Sequence, residues 1–267
     1  MEYANKSYPC HVNPTIAGEQ FIPEHIFLYL ITGTMTVYGE KESFTIQEGD
    51  YCFISRNQLA KYIKKPTERG PFKTSSIFFN TTFLKSFSKE YRYTAGLDPQ
   101  KENFVRLAPS PILESFVNSM QPYQDLRNDE IQDLLVLKHK EILLILLKTH
   151  PNLKDILFDF SIPGKIDLES FMNLNFRYNV TQERFAYLTG RSLTTFKKDF
   201  NKIFGVAPGR WLLEKRLQEA YFLIKQKAEK PTDVYLKAGF EDLTHFSFVF
   251  KKKYGISPSQ VNIGLIK

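Results

Sequence analysis

Residues 191–211 and 241–261 align at an offset of 50, and seven of the 21 pairs are identical: Leu193/Leu243, Thr194/Thr244, Phe196/Phe246, Phe200/Phe250, Lys202/Lys252, Gly205/Gly255 and Pro208/Pro258. Phe204/Tyr254 and Val206/Ile256 are conservative. Glycine and proline kept in register mark an internal duplication, so the last third of the chain must fold as two copies of one supersecondary unit. Each copy has the same plan. A short helix (Gln182–Leu188, Asp233–Ala238) meets a glycine turn at Gly190 or Gly239, where the missing side chain admits unusual backbone angles. Ser192 or Asp242 then suits the N-cap of a second helix. There Leu193, Phe196, Phe200 and Phe204 recur at three and four, as do Leu243, Phe246, Phe250 and Tyr254, which predicts inward faces. Helix, glycine turn and capped second helix is the helix-turn-helix plan.

The outward faces differ between the copies. The first carries Thr194, Thr195, Lys198 and Lys202, with Lys197 on the flank; the second carries Thr244, His245, Phe248 and Lys252. In such a motif the second helix enters the major groove, so Thr194, Thr195, Lys197, Lys198, Thr244, His245 and Phe248 are candidates to face bases. Ser192, Lys202, Lys215, Lys251 and Lys252 are candidates for phosphate contact. For the lysines, phosphate contact or plain solvation competes with base reading, and Phe248 reads equally as a thymine contact or a protein contact. Pro208–Lys227 joins the copies as a helix with a stripe of Trp211, Leu212, Leu217, Ala220 and Leu223. Proline suits its first turn. Two recognition helices fixed by such a connector suit successive major grooves, about 34 Å apart.

Charge agrees with a polyanionic partner. Residues 164–267 hold 18 Lys and Arg against 10 Asp and Glu, a balance of +8, whereas residues 1–163 hold 18 against 19, a balance of −1. The excess attracts nucleic acid through counterion release; a solvated basic surface without a partner is the bland alternative. Cys10 and Cys52 form no CxxC pattern, which argues for a reducing compartment and against a disulfide scaffold or structural zinc. No signal peptide is evident, and the most apolar stretch, Ile142–Leu147, is far too short to span a bilayer. A cytoplasmic protein is expected.

The first part reads differently. From about Phe21 to Phe79 short apolar runs alternate with turns: Phe27–Ile31 then Gly33, Met35–Tyr38 then Gly39, Phe44–Ile46 then Glu48-Gly49-Asp50, followed by Tyr51–Ile54 and Ser75–Phe79. That predicts an antiparallel barrel or sandwich. Phe27, Tyr29, Val37 and Phe53 are candidates to line its interior as a ligand pocket, or as plain core. After Pro109, Pro111–Met120 and Asp129–Thr149 read as helices. In the second, Ile131, Leu134, Leu135, Ile142, Ile145 and Leu146 cover more than one stripe. Such a helix is buried on two sides, between its own barrel and a partner subunit, or else wholly inside one domain. His150-Pro151-Asn152 stops it, and the stretch to Pro163-Gly164 reads as a connection. The expected fold is α+β in two domains: a barrel or sandwich with flanking helices over 1–160, and an all-α domain over 165–267.

Arg191-Ser192-Leu193-Thr194-Thr195-Phe196-Lys197-Lys198-Asp199-Phe200 and Phe204-Gly205-Val206-Ala207-Pro208 resemble the first unit of the AraC/XylS family of transcription regulators. Lys215-Arg216-Leu217 with Ala220 resembles its linker helix. Ala238-Gly239-Phe240-Glu241-Asp242, His245-Phe246-Ser247, Phe250-Lys251-Lys252 and Gly255-Ile256-Ser257-Pro258 resemble its second unit, over about residues 165–262 in all. The resemblance implies base contacts from Thr194, Lys197 and Lys198, then Thr244, His245 and Phe248; Phe248 departs from the polar or arginine residue often found there. Leu236 stands where the family often has alanine. Gly33, Val37, Gly39, Phe44 and Glu48-Gly49-Asp50 look like the cupin-type barrel that precedes many such domains. Enzymatic cupins hold a metal on a His-x-His pair with a glutamate and a further histidine, whereas this region has only His25, with His11 before it. No metal, cofactor or catalytic residue is therefore expected. What the resemblance implies is a promoter-binding regulator, most often an activator working with RNA polymerase, whose first domain senses a small-molecule or protein effector and forms a homodimer through Ile131, Leu134, Leu135, Ile142 and Ile145. A cupin enzyme with an accessory nucleic-acid domain is the competing class.

Overall fold

The computed structural model describes residues 16–38, 43–96, 102–124, 131–161 and 163–261, with side chains described from Phe21 onward. Cys10, His11, the expected turn at Gly39 and the Asp129 start of the long helix lie outside them. The chain divides into two compact units, one holding Ile22–Ser161 and the other the residues beyond Ser161 together with Glu19–Phe21.

The strands are β1 (Ile16–Ile22), β2 (His25–Thr32), β3 (Thr34–Tyr38), β4 (Ser43–Gln47), β5 (Tyr51–Ile54), β6 (Gln58–Lys65), β7 (Lys73–Phe79) and β8 (Phe104–Leu107). They form two four-stranded sheets, ordered β1-β6-β3-β4 and β7-β2-β5-β8. The pairings whose register is resolved are antiparallel, with Phe27 opposite Phe53 on one side and Ile77 on the other. Four helices accompany the sheets: α1 (Thr81–Tyr91), α2 (Pro111–Ser119), α3 (Gln132–Thr149) and α4 (Leu153–Leu157).

Two apolar clusters lie on the two faces of the β7-β2-β5-β8 sheet. Leu28, Leu30, Met35, Val37, Ile46, Cys52 and Ile54 fill the space between the sheets. Phe27, Tyr51, Phe53, Ile77 and Phe79 point the other way, into a cluster completed by Phe83 and Phe87 of α1, Phe116 of α2, and Leu135, Ile142 and Leu146 of α3. Side chains alternate along a strand, so neighbours belong to opposite layers. This corrects the expected pocket. Only Val37 faces the sandwich interior, while Phe27 and Phe53 are buried against helices and Tyr29 packs on that same outer cluster. The four line no common cavity. Tyr51–Ile54 is buried at every position because both faces of its sheet are covered.

The helices also amend the expected dimer contact. Ile131, Leu135, Ile142 and Ile145 are buried within the domain's own core, so four of the five candidates present no surface to a partner. Leu134 stays 47% exposed, and Leu137, three residues on, is 61% exposed. Between α1 and α3 lies a cleft of about 590 Å³ lined by Phe83, Ser86, Phe87, Gln132, Asp133, Val136, Leu137 and Lys140. Helix α1, which the apolar pattern does not announce, is capped by Asn80, whose side chain accepts from the Phe83 N–H at 2.8 Å. Part of the expected connection is α4, with Leu153, Leu157 and Phe158 inside the helical core.

His25 is buried, stacked on Phe53 at 5.4 Å, and its Nδ1 accepts from the Arg56 N–H at 3.2 Å. Burial, with the nearby Arg56 charge, holds its pKa down to about 3, so the ring is neutral. The Arg56 guanidinium donates to Thr81 Oγ1 at 2.6 Å and to the Asp159 carbonyl at 2.5 Å, tying the start of α1 to the end of the domain.

Candidate nucleic-acid interface

The second unit is helical: α5 (Leu168–Asn175), α6 (Gln182–Leu188), α7 (Leu193–Phe204), α8 (Pro208–Lys227), α9 (Pro231–Lys237) and α10 (Leu243–Tyr254). The duplication survives into three dimensions. Helices α7 and α10 are both 12 residues long, start 50 positions apart, and end in a left-handed glycine, Gly205 or Gly255. The Ser192 hydroxyl accepts from the Thr195 N–H at 3.3 Å, and the Asp242 carboxylate accepts from the His245 N–H at 2.5 Å. Both caps satisfy N–H groups that a helix start leaves open.

Aromatic rings hold each copy in the same way. In the first, Phe200 stands 5.5 Å from Phe196, 4.3 Å from Phe204 and 5.5 Å from Trp211 of the linker helix. In the second, Phe250 stands 5.4 Å from Phe246, 4.7 Å from Tyr254 and 6.2 Å from Tyr221 of the same linker. Helix α8 is thus a shared wall, with Trp211 serving one copy and Tyr221 the other. Leu243, expected on the inward stripe, is 37% exposed; the second stripe rests on Phe246 and Phe250, both fully buried.

The turns are built for close approach. Gly190 has φ 66°, and a Cβ there would stand 2.4 Å from the Gly164 carbonyl; Gly239 has φ 92°, and its Cβ would stand 2.2 Å from the Arg177 oxygen. No side chain fits either site, and the second collision shows that the turn of the second copy packs on the backbone that joins α5 to α6. Three arginines complete the frame. Arg191 donates to Asp199 at 3.0 Å and to the carbonyls of Thr189 and Ile166, at 2.6 and 3.0 Å, pinning the first turn to the helix it precedes. The bond from Arg191 holds the Asp199 carboxyl below its usual range. Arg216 of α8 donates to the Phe176 and Tyr178 carbonyls, both at 2.9 Å, and Arg177 pairs with Glu219 at 2.6 Å. These positioning residues do not emerge from periodicity. Arg191 and Arg216 stand inside the stretches that carry the family resemblance, and their carbonyl partners lie up to 40 residues away.

This frame leaves the candidates exposed in two groups. On α7, Thr194, Lys197, Lys198 and Lys202 are exposed; Thr195 is half-buried, its hydroxyl 2.9 Å from the Ser192 hydroxyl in the cap. Ser192 itself is exposed but already serves as the cap acceptor. On α10, Thr244, His245, Phe248, Lys251 and Lys252 are exposed, Phe248 at 67%. Lys202, Lys251 and Lys252 stand in the last helical turns, where positive charge also complements the helix dipole. Lys215 is half-buried, its ammonium 5.4 Å from the centre of the Trp211 ring. Among the described residues none of Lys197, Lys198, Lys202, Lys251 and Lys252 forms an ion pair, while Lys253 is paired with Glu214.

Two capped helices with buried aromatic stripes, polar outer faces and a common linker define a DNA-binding helix-turn-helix transcription regulator. Comparisons with known proteins agree. A family model described as a helix-turn-helix domain matches residues 185–262, and one described as the ExsA N-terminal regulatory domain matches residues 25–156. The HTH-type transcriptional regulator ExsA of Pseudomonas aeruginosa is 24% identical over 258 residues, 96% of this chain and 92% of that protein. The virulence regulon transcriptional activator VirF of Yersinia enterocolitica is 24% identical, covering 88% and 87%. Among solved structures, ToxT from Vibrio cholerae aligns over 96% of this chain and 97% of its own, at 14% identity and a TM-score of 0.43. Along both of its parts the chain is similar to transcription regulators of the AraC/XylS kind.

Proposed function

We propose that this regulator activates transcription by laying α7 and α10 in successive major grooves of a promoter. Thr194, Thr195, Lys197 and Lys198 approach bases from α7, and Thr244, His245 and Phe248 approach them from α10. Ser192, Lys202, Lys251 and Lys252 hold phosphates, while Lys215, the fifth candidate, keeps its ammonium against Trp211. The observation that carries this reading is the pairing of two equally long, capped helices on one linker helix, each with an exposed cationic outer face. Activation is taken from relatives such as VirF, whose name describes an activator; RNA polymerase is the partner this reading adds. Among the described residues no helix is long and apolar enough to cross a membrane; the protein works in the cytoplasm, where the promoter is. Gel shifts on the protein's own upstream region test the reading. Wild type gives saturable, salt-sensitive binding, and Lys198→Glu with His245→Glu abolishes it; normal binding by that double variant sinks the assignment of the faces.

The domain of residues 1–160 acts as the regulatory and dimerising part, and residues 165–267 as the DNA-binding part. Homodimer contact belongs to the exposed Leu134 and Leu137 rather than to the buried leucines and isoleucines of α3. Effector sensing attaches to the α1–α3 cleft, since Leu28, Leu30, Met35 and Ile46 fill the sandwich interior. Native mass spectrometry separates a retained small molecule from a protein effector.

A further inference from the structure

We propose that Phe248 reads the methyl group of a thymine, which makes the second recognition helix selective for T at one base pair of the operator; this rests on the DNA-binding reading above. Phe248 is the sixth of the twelve residues of α10. Thr244 and Lys252 stand one turn to either side, and His245 and Lys251 three residues to either side, so they surround it on the helix surface. The core of the unit lies elsewhere: Phe246 and Phe250 are fully buried, whereas Phe248 is 67% exposed and makes no ring contact among the described residues.

The duplication sharpens the point. At the offset of 50, the partner of Phe248 is Lys198, so the middle of one face carries an ammonium in the first copy and a phenyl ring in the second. A phenyl ring offers nothing to a phosphate or to the hydrogen-bonding edges of bases. Of the groups a duplex presents in the major groove, the apolar one is the C5 methyl of thymine. Isolated apolar side chains on a surface are ordinary. This one, however, stands among Lys251, Lys252, His245 and Thr244, surroundings suited to a polyanion rather than to an apolar protein patch. Its place in the first half of the helix is also where recognition helices meet base edges. Thr244, one turn earlier, brings a second methyl to the same strip.

The test begins with full-length protein selecting duplexes from a random pool. Each thymine of the selected site is then replaced singly by deoxyuridine, which removes the methyl and leaves base pairing intact. Wild type loses about fourfold in affinity at one thymine position, the worth of one buried methyl. Phe248→Ala binds the T and U forms of that position alike while keeping wild-type sensitivity elsewhere. Phe248→Lys also loses the T preference and steepens the salt dependence by about one unit. Circular dichroism and thermal midpoint match wild type for both variants, since the side chain lies outside the core. Equal T and U sensitivity in wild type and Phe248→Ala overturns the proposal alone. Failure of wild type to enrich any duplex overturns the DNA-binding reading with it.

Discussion

Neutralising the lysines on α7 and α10 in groups turns the exposed surface into numbers. Five lysines, Lys197, Lys198, Lys202, Lys251 and Lys252, are exposed on the two helices and form no ion pair among the described residues. If all five displace counterions, log affinity falls against log salt with a slope of about −4.5 per bound chain. A fourfold rise in salt, from about 50 to about 200 mM, then weakens binding roughly 500-fold. Replacing Lys197, Lys198 and Lys202 by alanine leaves two contacts and a slope of about −1.8, a loss of only about 12-fold over the same range. Replacing Lys251 and Lys252 instead leaves three and a slope of about −2.7, a loss of about 40-fold. Lys215 is left out because its ammonium already packs against Trp211. Fluorescence anisotropy on a labelled operator duplex at several salt concentrations reads these slopes. A slope that stays near −4.5 after all five replacements would place the DNA on another face of the domain and refute the reasoning.

Four further outcomes follow from the same geometry. Trp211→Ala removes the ring that meets Phe200 and Phe204 at 5.5 and 4.6 Å; it costs about 3–5 kcal/mol in urea titrations and abolishes DNA binding. Gly239→Ala drives a Cβ to within 2.2 Å of the Arg177 oxygen at φ 92°, so it destabilises the second copy by on the order of 2 kcal/mol or more, seen as a lowered thermal midpoint. His25 is neutral when folded, with its pKa lowered to about 3, and protonates near 6.5 when unfolded. The unfolded state therefore takes up the extra proton, and stability falls as pH drops from about 6.5 toward 3, by about 2 kcal/mol at pH ~5 from this residue. The buried His139 shifts in the same direction, so the His25 share is read as the difference from His25→Asn in chemical denaturation, and an identical pH slope in that variant refutes it. Leu134→Glu with Leu137→Glu yields a folded monomer by analytical ultracentrifugation; an intact dimer would move the interface off α3.

What the sequence made legible was local. Ser192, Asp242, Gly190, Gly239, Pro208 and the Phe196/Phe200 and Phe246/Phe250 pairs set helix ends and faces through short-range rules, and the six helices of the second unit form close to where those signals stand. Faces settled by distant packing were not legible. Alternation along Tyr51–Ile54 separates two layers but cannot say which is the sandwich interior when both are buried, so it does not reveal that Phe27 and Phe53 face the helices. Helix α3 is apolar on nearly every side, so its sequence does not separate its own core from a partner's surface; burial does, by leaving Leu134 and Leu137 out. Strand β6 escaped because it is lysine-rich and turns Gln58 and Ala60 inward. The arginine staples escaped because a carbonyl acceptor has no sequence signature.

The central claim is that both copies of the duplicated unit engage DNA at once. Methylation-interference footprinting of the full-length protein on its selected operator tests it most directly. The account predicts two clusters of major-groove contacts about one helical turn, roughly 10 base pairs, apart, with Lys198→Glu erasing one cluster and His245→Glu the other. A single cluster, unchanged by one of the two substitutions, would contradict it.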